Sequence, residues 1–117
     1  MAFEKQAQLV GDTRIFAVHP KVKKYALMDT GFLQQKNGSF QLLRQLEPDK
    51  SFEESFKLKI VFAKDLSGFK LKTVNSLGNT VVNVFKHDRQ IKMVEQLDYY
   101  LNELVNRGIL LEINYKN

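Results

Sequence analysis

The stretch FKLKIVFAKDLSGFKLKTV, residues 56–74, decides the fold class. Its first half places Phe, Leu, Ile and Phe at every second position, and this period of two is typical of a half-buried β-strand. Residues 65–68 combine Asp, Ser and Gly and predict a turn, after which the alternation resumes. We therefore expect an antiparallel hairpin with one apolar face and one basic face.

The basic face of this hairpin is the candidate binding site. It comprises Lys57, Lys59, Lys70 and Lys72, with Phe85 placed beside them. Four like charges on one sheet surface repel one another unless water or an anion compensates them. A solvated surface is one interpretation, since lysine commonly finishes exposed sheet faces. The functional interpretation is a ligand-binding site for a small anionic metabolite that carries phosphate or carboxylate.

Nucleic acid is a less favoured ligand for the same face. Residues 55–86 contain six lysines, one acidic residue and no arginine. Arginine supplies the planar, bidentate contacts that sequence-specific recognition uses, whereas lysine acts as a point charge. The net charge of +5 is therefore concentrated in one segment, but its composition favours a compact anion.

The segments before residue 30 predict one hairpin and one ambiguous element. Residues 3–10 and 13–18 are rich in strand-favouring side chains on either side of Gly11 and Asp12, which suit a tight connection. Residues 22–29 fit a strand or a short helix, and their periodicity does not choose between the two. Both possibilities stay open from the sequence.

The clearest turn is the dipeptide Asn37-Gly38, since a two-residue type I′ loop needs positive φ at both positions. This loop would place Leu33 opposite Leu42, so that apolar side chains meet across the hairpin. The polar residues 47–55 follow and predict a surface loop, the longest connection in the chain.

The C-terminal part predicts a strand, a helix and a strand. Residues 80–86 would add a third strand to the basic hairpin, and residues 109–115 would form the last strand of the chain. Between them, a helix over 88–107 has Asp88 as a candidate N-cap and Gly108 as the residue that ends it. Its apolar stripe comprises Ile91, Val94, Leu97, Leu101, Leu104 and Val105.

These elements predict the α+β class, with antiparallel β-hairpins packed against a single long C-terminal amphipathic helix. The length of 117 residues suits one domain that spans residues 1–117. No cysteine is present, which excludes disulfides and thiolate metal sites. No apolar run approaches the ~20 residues that cross a bilayer, and the first residues do not resemble a signal peptide. We therefore expect a cytoplasmic protein with no membrane association.

The sequence carries no motif that names a reaction. His19 and His87 stand apart from any metal-ligand spacing, and the glycines form no phosphate-binding loop. Solvated surface charge explains the carboxylates, which are widely separated in sequence. We assign no catalytic residue, metal ligand or cofactor, and the oligomeric state stays open.

Three strings carry a resemblance: KKYALMDTGF at residues 23–32, GFKLK at 68–72 and NVFK at 83–86. Through them the chain resembles a family of small proteins of unknown function from lactic-acid bacteria and related Gram-positive organisms. The resemblance implies antiparallel sheets packed on one helix, a fold distantly similar to bacterial S-adenosylmethionine decarboxylases. It also implies a ligand-binding role in amino-acid metabolism, and it supplies no catalytic residues.

The resemblance to the decarboxylases is open to a check on this chain. Those enzymes cleave themselves before a serine to form a pyruvoyl group, and Glu54-Ser55 offers a matching dipeptide. They also use a cysteine, which this chain lacks. The leading hypothesis is thus a non-enzymatic domain that binds a small anionic metabolite or a protein partner in amino-acid or sulfur metabolism. A decarboxylase-related enzyme is the alternative, and a nucleic-acid-binding module is a weaker one.

Overall fold

Short apolar runs separated by glycine turns build seven strands in residues 3–113, the part of the chain that the computed structural model describes. A three-stranded sheet has the order β1-β2-β7 and a four-stranded sheet the order β3-β4-β5-β6. The strands are β1 (Gln6–Ala7), β2 (Ile15–Val18), β3 (Leu33–Gln34), β4 (Phe40–Gln45), β5 (Lys57–Phe62), β6 (Phe69–Val74) and β7 (Leu110–Ile113). The helices are α1 (Lys24–Thr30) and α2 (Gln90–Asn106), with a 3₁₀ helix at Val84–Lys86. All strand pairs are antiparallel, which confirms the predicted α+β class.

The first sheet joins the two ends of the described chain. β1 pairs with β2 through Gln6 and Ala17, so the predicted N-terminal hairpin is present with shorter strands. β7 pairs with the other edge of β2, where Ile15 lies opposite Ile113. The ambiguous residues 22–29 form helix α1, which ends at Gly31 with a φ of +115°. Residues 114–115 of the predicted last strand lie outside the described residues.

The central hairpin has the predicted pairing, but its predicted third strand is wrong. β5 and β6 pair from Lys57 opposite Val74 to Phe62 opposite Phe69, and the neighbour of β5 on its other side is β4. Residues 80–86 instead make one β-bridge and then turn into the 3₁₀ helix. The side chain of Asn83 accepts a hydrogen bond from the Phe85 N–H at 3.0 Å, which favours that turn over an extended strand.

The loop at Asn37-Gly38 also differs from the prediction. Leu33 lies opposite Gln41, one residue away from the predicted partner. Gly38 has a φ of +93°, whereas Asn37 does not take a positive φ. The Asn37 side chain accepts a hydrogen bond from the Ser39 N–H at 2.9 Å, and this local bond replaces the type I′ geometry.

The start of α2 lies two residues beyond the predicted N-cap. The N-cap is Arg89, whose own side chain makes no capping hydrogen bond. Asp88 therefore does not cap the helix, and the ring Nδ1 of His87 accepts the Arg89 N–H at 3.1 Å. At the other end Gly108 has a φ of +73°, which confirms its predicted role.

The buried stripe of α2 begins at Met93 rather than at Ile91. Ile91 is 83% exposed, since it lies about 200° around the helix from Met93. The predicted Val94 and Val105 pack at the edge of the core. The fully buried members of the stripe are Met93, Leu97, Leu101 and Leu104. No helix within residues 3–113 is long and apolar enough to cross a membrane.

The core lies on one side of the four-stranded sheet. Leu58, Ile60 and Phe62 of β5 are buried there, and the ring of Phe62 stacks on that of Phe69 with centroids 5.5 Å apart. Since side chains alternate along a strand, the lysines of β5 belong to the opposite side of the sheet. The fold therefore separates the candidate site from the core.

Candidate functional site

The structure places the four predicted lysines on one side of the β5–β6 hairpin. Lys59 and Lys72 are direct cross-strand partners, and Lys70 lies opposite Val61. The side chains of Lys59, Lys70 and Lys72 are half-buried. Directly opposed residues in an antiparallel pair have Cβ atoms about 4.5–5.5 Å apart, so the field of Lys59 adds to that of Lys72.

Lys57 shares this side of the sheet but has a different environment. It is only 4% exposed, although the sequence predicts an outward, solvated position. Its Nζ donates to the backbone carbonyls of Ser55 at 3.1 Å and Ser76 at 2.7 Å. The ammonium also lies 4.6 Å from the centroid of the Phe52 ring, a cation–π distance. Two loops cover Lys57. The alternation of residue types along β5 does not predict this burial.

Phe85 does not join the lysines. It belongs to the 3₁₀ helix and packs against the hydrophobic core. It lines neither of the two depressions on the lysine side of the sheet. The prediction that placed Phe85 beside the lysines assumed a strand over residues 80–86, and the absence of that strand removes its premise.

Two adjoining depressions mark the lysine side. The larger has a volume of about 380 Å³ and includes Leu43, Phe52, Glu53, Lys57, Lys59 and Leu77 in its lining. The smaller, of about 80 Å³, is lined by Lys59, Val61, Lys70 and Lys72. Lys59 belongs to both, so an apolar hollow opens directly beside the lysine cluster. We call the larger one the Phe52–Leu77 depression.

The N-terminal segment borders this surface along β6. Glu4 and Phe69 exchange both backbone hydrogen bonds, at 3.0 and 2.8 Å. The ring of Phe3 consequently lies 4.7 Å from the Nζ of Lys70. Lys70 therefore has an aromatic neighbour, whereas Lys59 and Lys72 have none at cation–π distance among the described residues.

A second polar cluster joins residues 47–55 to the start of α2. The sequence predicted only a surface loop for residues 47–55. Glu47 is 3% exposed, and its Oε2 accepts the Phe56 N–H at 3.0 Å. Its Oε1 pairs with the Nε of Arg89 and, at 3.4 Å, with the Nζ of Lys50. Burial alone would raise the pKa of Glu47, but the Phe56 N–H and the Arg89 guanidinium outweigh it and lower that pKa. The cluster holds the loop to the helix.

Ser55, the serine of the candidate cleavage dipeptide, lies in the same loop and is also buried. Its Oγ donates to the backbone carbonyl of Phe56 at 2.7 Å. The same oxygen accepts the Glu47 N–H at 2.9 Å. Both contacts give the hydroxyl a structural role. Residues 47–55 form a connection between β4 and β5 as predicted, but Ser55 and Glu47 are buried, so their predicted surface position is wrong.

We expect the purified chain to remain one polypeptide of 13.6 kDa. The Ser55 hydroxyl is already engaged with backbone groups, and self-cleavage would require it to attack the preceding carbonyl instead. Intact-mass spectrometry measures this directly, with Ser55→Ala as the control that has no hydroxyl. Two wild-type fragments split before Ser55, absent from the control, would contradict the prediction and favour the enzymatic alternative.

The histidines have structural contacts at helix and turn boundaries. The Nδ1 of His19 accepts the Lys21 N–H at 3.1 Å, and the Nδ1 of His87 accepts the Arg89 N–H at the same distance. Within residues 3–113 no three His, Asp or Glu side chains are grouped closely enough to hold a metal ion. The lysine side of the sheet thus remains the candidate site.

Comparison with known proteins gives two findings. Residues 1–111 match the family model DUF1831, described as "Putative amino acid metabolism". A crystal structure of a DUF1831 family protein from Lactobacillus plantarum is 41% identical in sequence, with a TM-score of 0.89, and covers 97% of this chain and 99% of its own. No curated protein matches the chain. The predicted family resemblance is confirmed, whereas these comparisons give no support to the similarity with S-adenosylmethionine decarboxylases.

Proposed function

The chain belongs to the DUF1831 family, and from that premise we propose that it is a non-enzymatic cytosolic domain that binds a small anionic metabolite of amino-acid metabolism. In this proposal residues 1–117 act as one unit. Lys59, Lys70 and Lys72 supply the positive field, and the Phe52–Leu77 depression receives the rest of the ligand.

The observation that carries the proposal is a cluster of cations without counter-ions. Five ion pairs form among the described residues, and none of them includes Lys57, Lys59, Lys70 or Lys72. Lys59 and Lys72 nevertheless stand directly opposite each other across two strands. Like charges in that arrangement destabilise a sheet, and a bound anion relieves the repulsion.

The shape of the surface supports a small amphiphilic ligand. The apolar side chains of Leu43, Phe52 and Leu77 line the hollow beside the cluster. A volume of about 380 Å³ lies within the ~300–1,000 Å³ typical of small-molecule sites. A ligand with an anionic group and an apolar portion matches both halves of the surface.

We expect a thermal-shift screen of carboxylate and phosphate metabolites to give stabilising compounds whose effect is lost in the double variant Lys59→Ala/Lys72→Ala. Removing both partners of the cross-strand pair removes the focus of positive charge. The stabilisation should also decrease as salt is raised, because exposed charges are screened beyond ~8–10 Å at physiological ionic strength.

The matched control is Lys21→Ala/Lys86→Ala, which removes the same charge from exposed positions that line neither depression. It should keep the ligand response of wild type. A response that survives in Lys59→Ala/Lys72→Ala would move the binding site elsewhere. Equal losses in both variants would indicate a general charge effect, and either result contradicts the proposal.

A further inference from the structure

The walls of the Phe52–Leu77 depression come from two separate loops. Phe52 lies in the connection between β4 and β5, and Leu77 lies in the turn that follows β6. Leu43 of β4 contributes to the lining between them. Leu77 is 80% exposed, so its side chain forms an apolar rim that meets solvent on its outer side.

Lys57 fixes the distance between these walls. Its Nζ bonds the carbonyl of Ser55 in one loop and the carbonyl of Ser76 in the other. An ammonium with two carbonyl acceptors at 3.1 and 2.7 Å ties the two loops together. This tie restrains both loops, which reduces the entropic cost of ordering them on binding.

The lining also carries charges of both signs. Lys57 and Lys59 are cationic, and Glu53 contributes the one carboxylate to the lining. Glu53 forms no ion pair with any described residue, although two lysines line the same hollow. The acidic Glu53 and the unpaired Lys59 thus share one apolar hollow without neutralising each other, whereas the Lys57 ammonium is already held by two backbone carbonyls.

From this arrangement, and resting on the proposed anion site, we infer that the ligand of the Phe52–Leu77 depression is a free α-amino acid with a large apolar side chain. Its carboxylate binds at Lys59 beside Lys57, its ammonium binds Glu53, and its side chain lies between Phe52 and Leu77. Each charge of the zwitterion then meets its opposite, and the apolar lining is covered.

Simpler ligands satisfy fewer of these groups. A 2-oxo acid of the same shape has no ammonium for Glu53 and places its own negative charge in the same hollow as that carboxylate. An amine without a carboxylate leaves Lys59 uncompensated. Inorganic phosphate reaches the lysines but leaves the apolar lining, including Phe52 and Leu77, in contact with water. The zwitterion alone among these ligands matches all three parts of the depression.

The test is an NMR titration of the full chain labelled with ¹⁵N, using L-leucine, its 2-oxo acid 4-methyl-2-oxopentanoate, and its amine 3-methylbutylamine. We expect leucine to shift the backbone amides of residues 52–53 and 76–78 and to bind about tenfold more tightly than either analogue, because each analogue lacks one charge-assisted contact. Glu53→Gln should lower the affinity for leucine about fivefold or more without lowering the affinity for the oxo acid. Glu54→Gln, a neighbouring exposed carboxylate outside the lining, is the matched control and should leave both affinities unchanged.

The outcomes separate this inference from the proposed function. If the oxo acid binds as tightly as leucine, or if Glu53→Gln leaves the affinity for leucine unchanged, the zwitterion is overturned while anion binding stands. If leucine shifts none of these amides, the inference is overturned as well. If, in addition, no metabolite distinguishes wild type from Lys59→Ala/Lys72→Ala, the proposed function is overturned with it.

Discussion

Truncation of Leu101 to alanine should lower the free energy of unfolding by about 2–5 kcal/mol, the range measured when a buried leucine leaves a cavity. Leu101 is 1% exposed and lies within the buried stripe of α2, one turn from both Leu97 and Leu104. Neighbours on both sides limit how far the site can collapse around the missing atoms. Urea denaturation should show a lower midpoint with an unchanged slope.

The adjacent residue offers a matched control. Asn102 is exposed on the same helix, and its replacement by alanine should change stability by no more than about 0.5 kcal/mol. A comparably small loss for Leu101→Ala would mean that a different side of α2 faces the sheets. The register of the whole helix against the core would then have to be reassigned.

The second large effect is expected at Glu47. Glu47→Ala should cost about 1–3 kcal/mol at neutral pH, because the Phe56 N–H is left without its acceptor, whereas Arg89 and Lys50 are exposed enough for water to solvate them. The Phe56 N–H loses its acceptor, and Arg89 and Lys50 lose their counter-ion. The loop between β4 and β5 would also lose its attachment to the start of α2.

The Glu47 contribution should depend on pH. Burial opposes ionisation, but the Phe56 N–H and the Arg89 guanidinium prevail, so the pKa of Glu47 in the fold lies below its ordinary value. The stabilisation is therefore complete above the unfolded pKa of about 4.3 and is lost as the pH falls through the lower folded pKa. Urea unfolding of wild type and Glu47→Gln at pH 7, 5, 4 and 3 should show a difference in the free energy of unfolding that decreases as the pH falls.

The control is Glu54→Gln, which changes an exposed carboxylate of the same loop and should follow wild type at every pH. A difference between wild type and Glu47→Gln that stays constant with pH would contradict the prediction.

The sequence predicted those parts of the fold that a local repeat of apolar residues encodes. The β5–β6 hairpin is encoded by alternation within one short stretch, so its pairing was correct from residue types alone. The third strand failed because residues 80–86 have a strand-like composition, whereas a single hydrogen bond from the Phe85 N–H to Asn83 favours a 3₁₀ turn. The start of the α2 stripe failed for a similar reason, since Ile91 is as apolar as Met93 and only packing distinguishes them.

The candidate site was predictable where it depends on one strand pair and unpredictable where it depends on distant loops. Alternation correctly placed Lys59, Lys70 and Lys72 on one side of the sheet. The burial of Lys57 depends on a carbonyl nineteen residues further along the chain, and Glu47 is paired with an arginine forty-two residues away. The one local signal was Phe52, an apolar residue in a polar loop.

The pairing of β2 with β7 has a consequence for synthesis on the ribosome. β3 to β6 emerge in sequence, and each can pair with its neighbour as it appears. The edge of β2 that receives β7 stays open until β7 has been translated and has left the ribosome. An open strand edge is a template for another chain, so neighbouring ribosomes on one message expose the same edge to each other during that interval. Fast translation of the α2 codons would shorten the exposure, and a pause within them would prolong it.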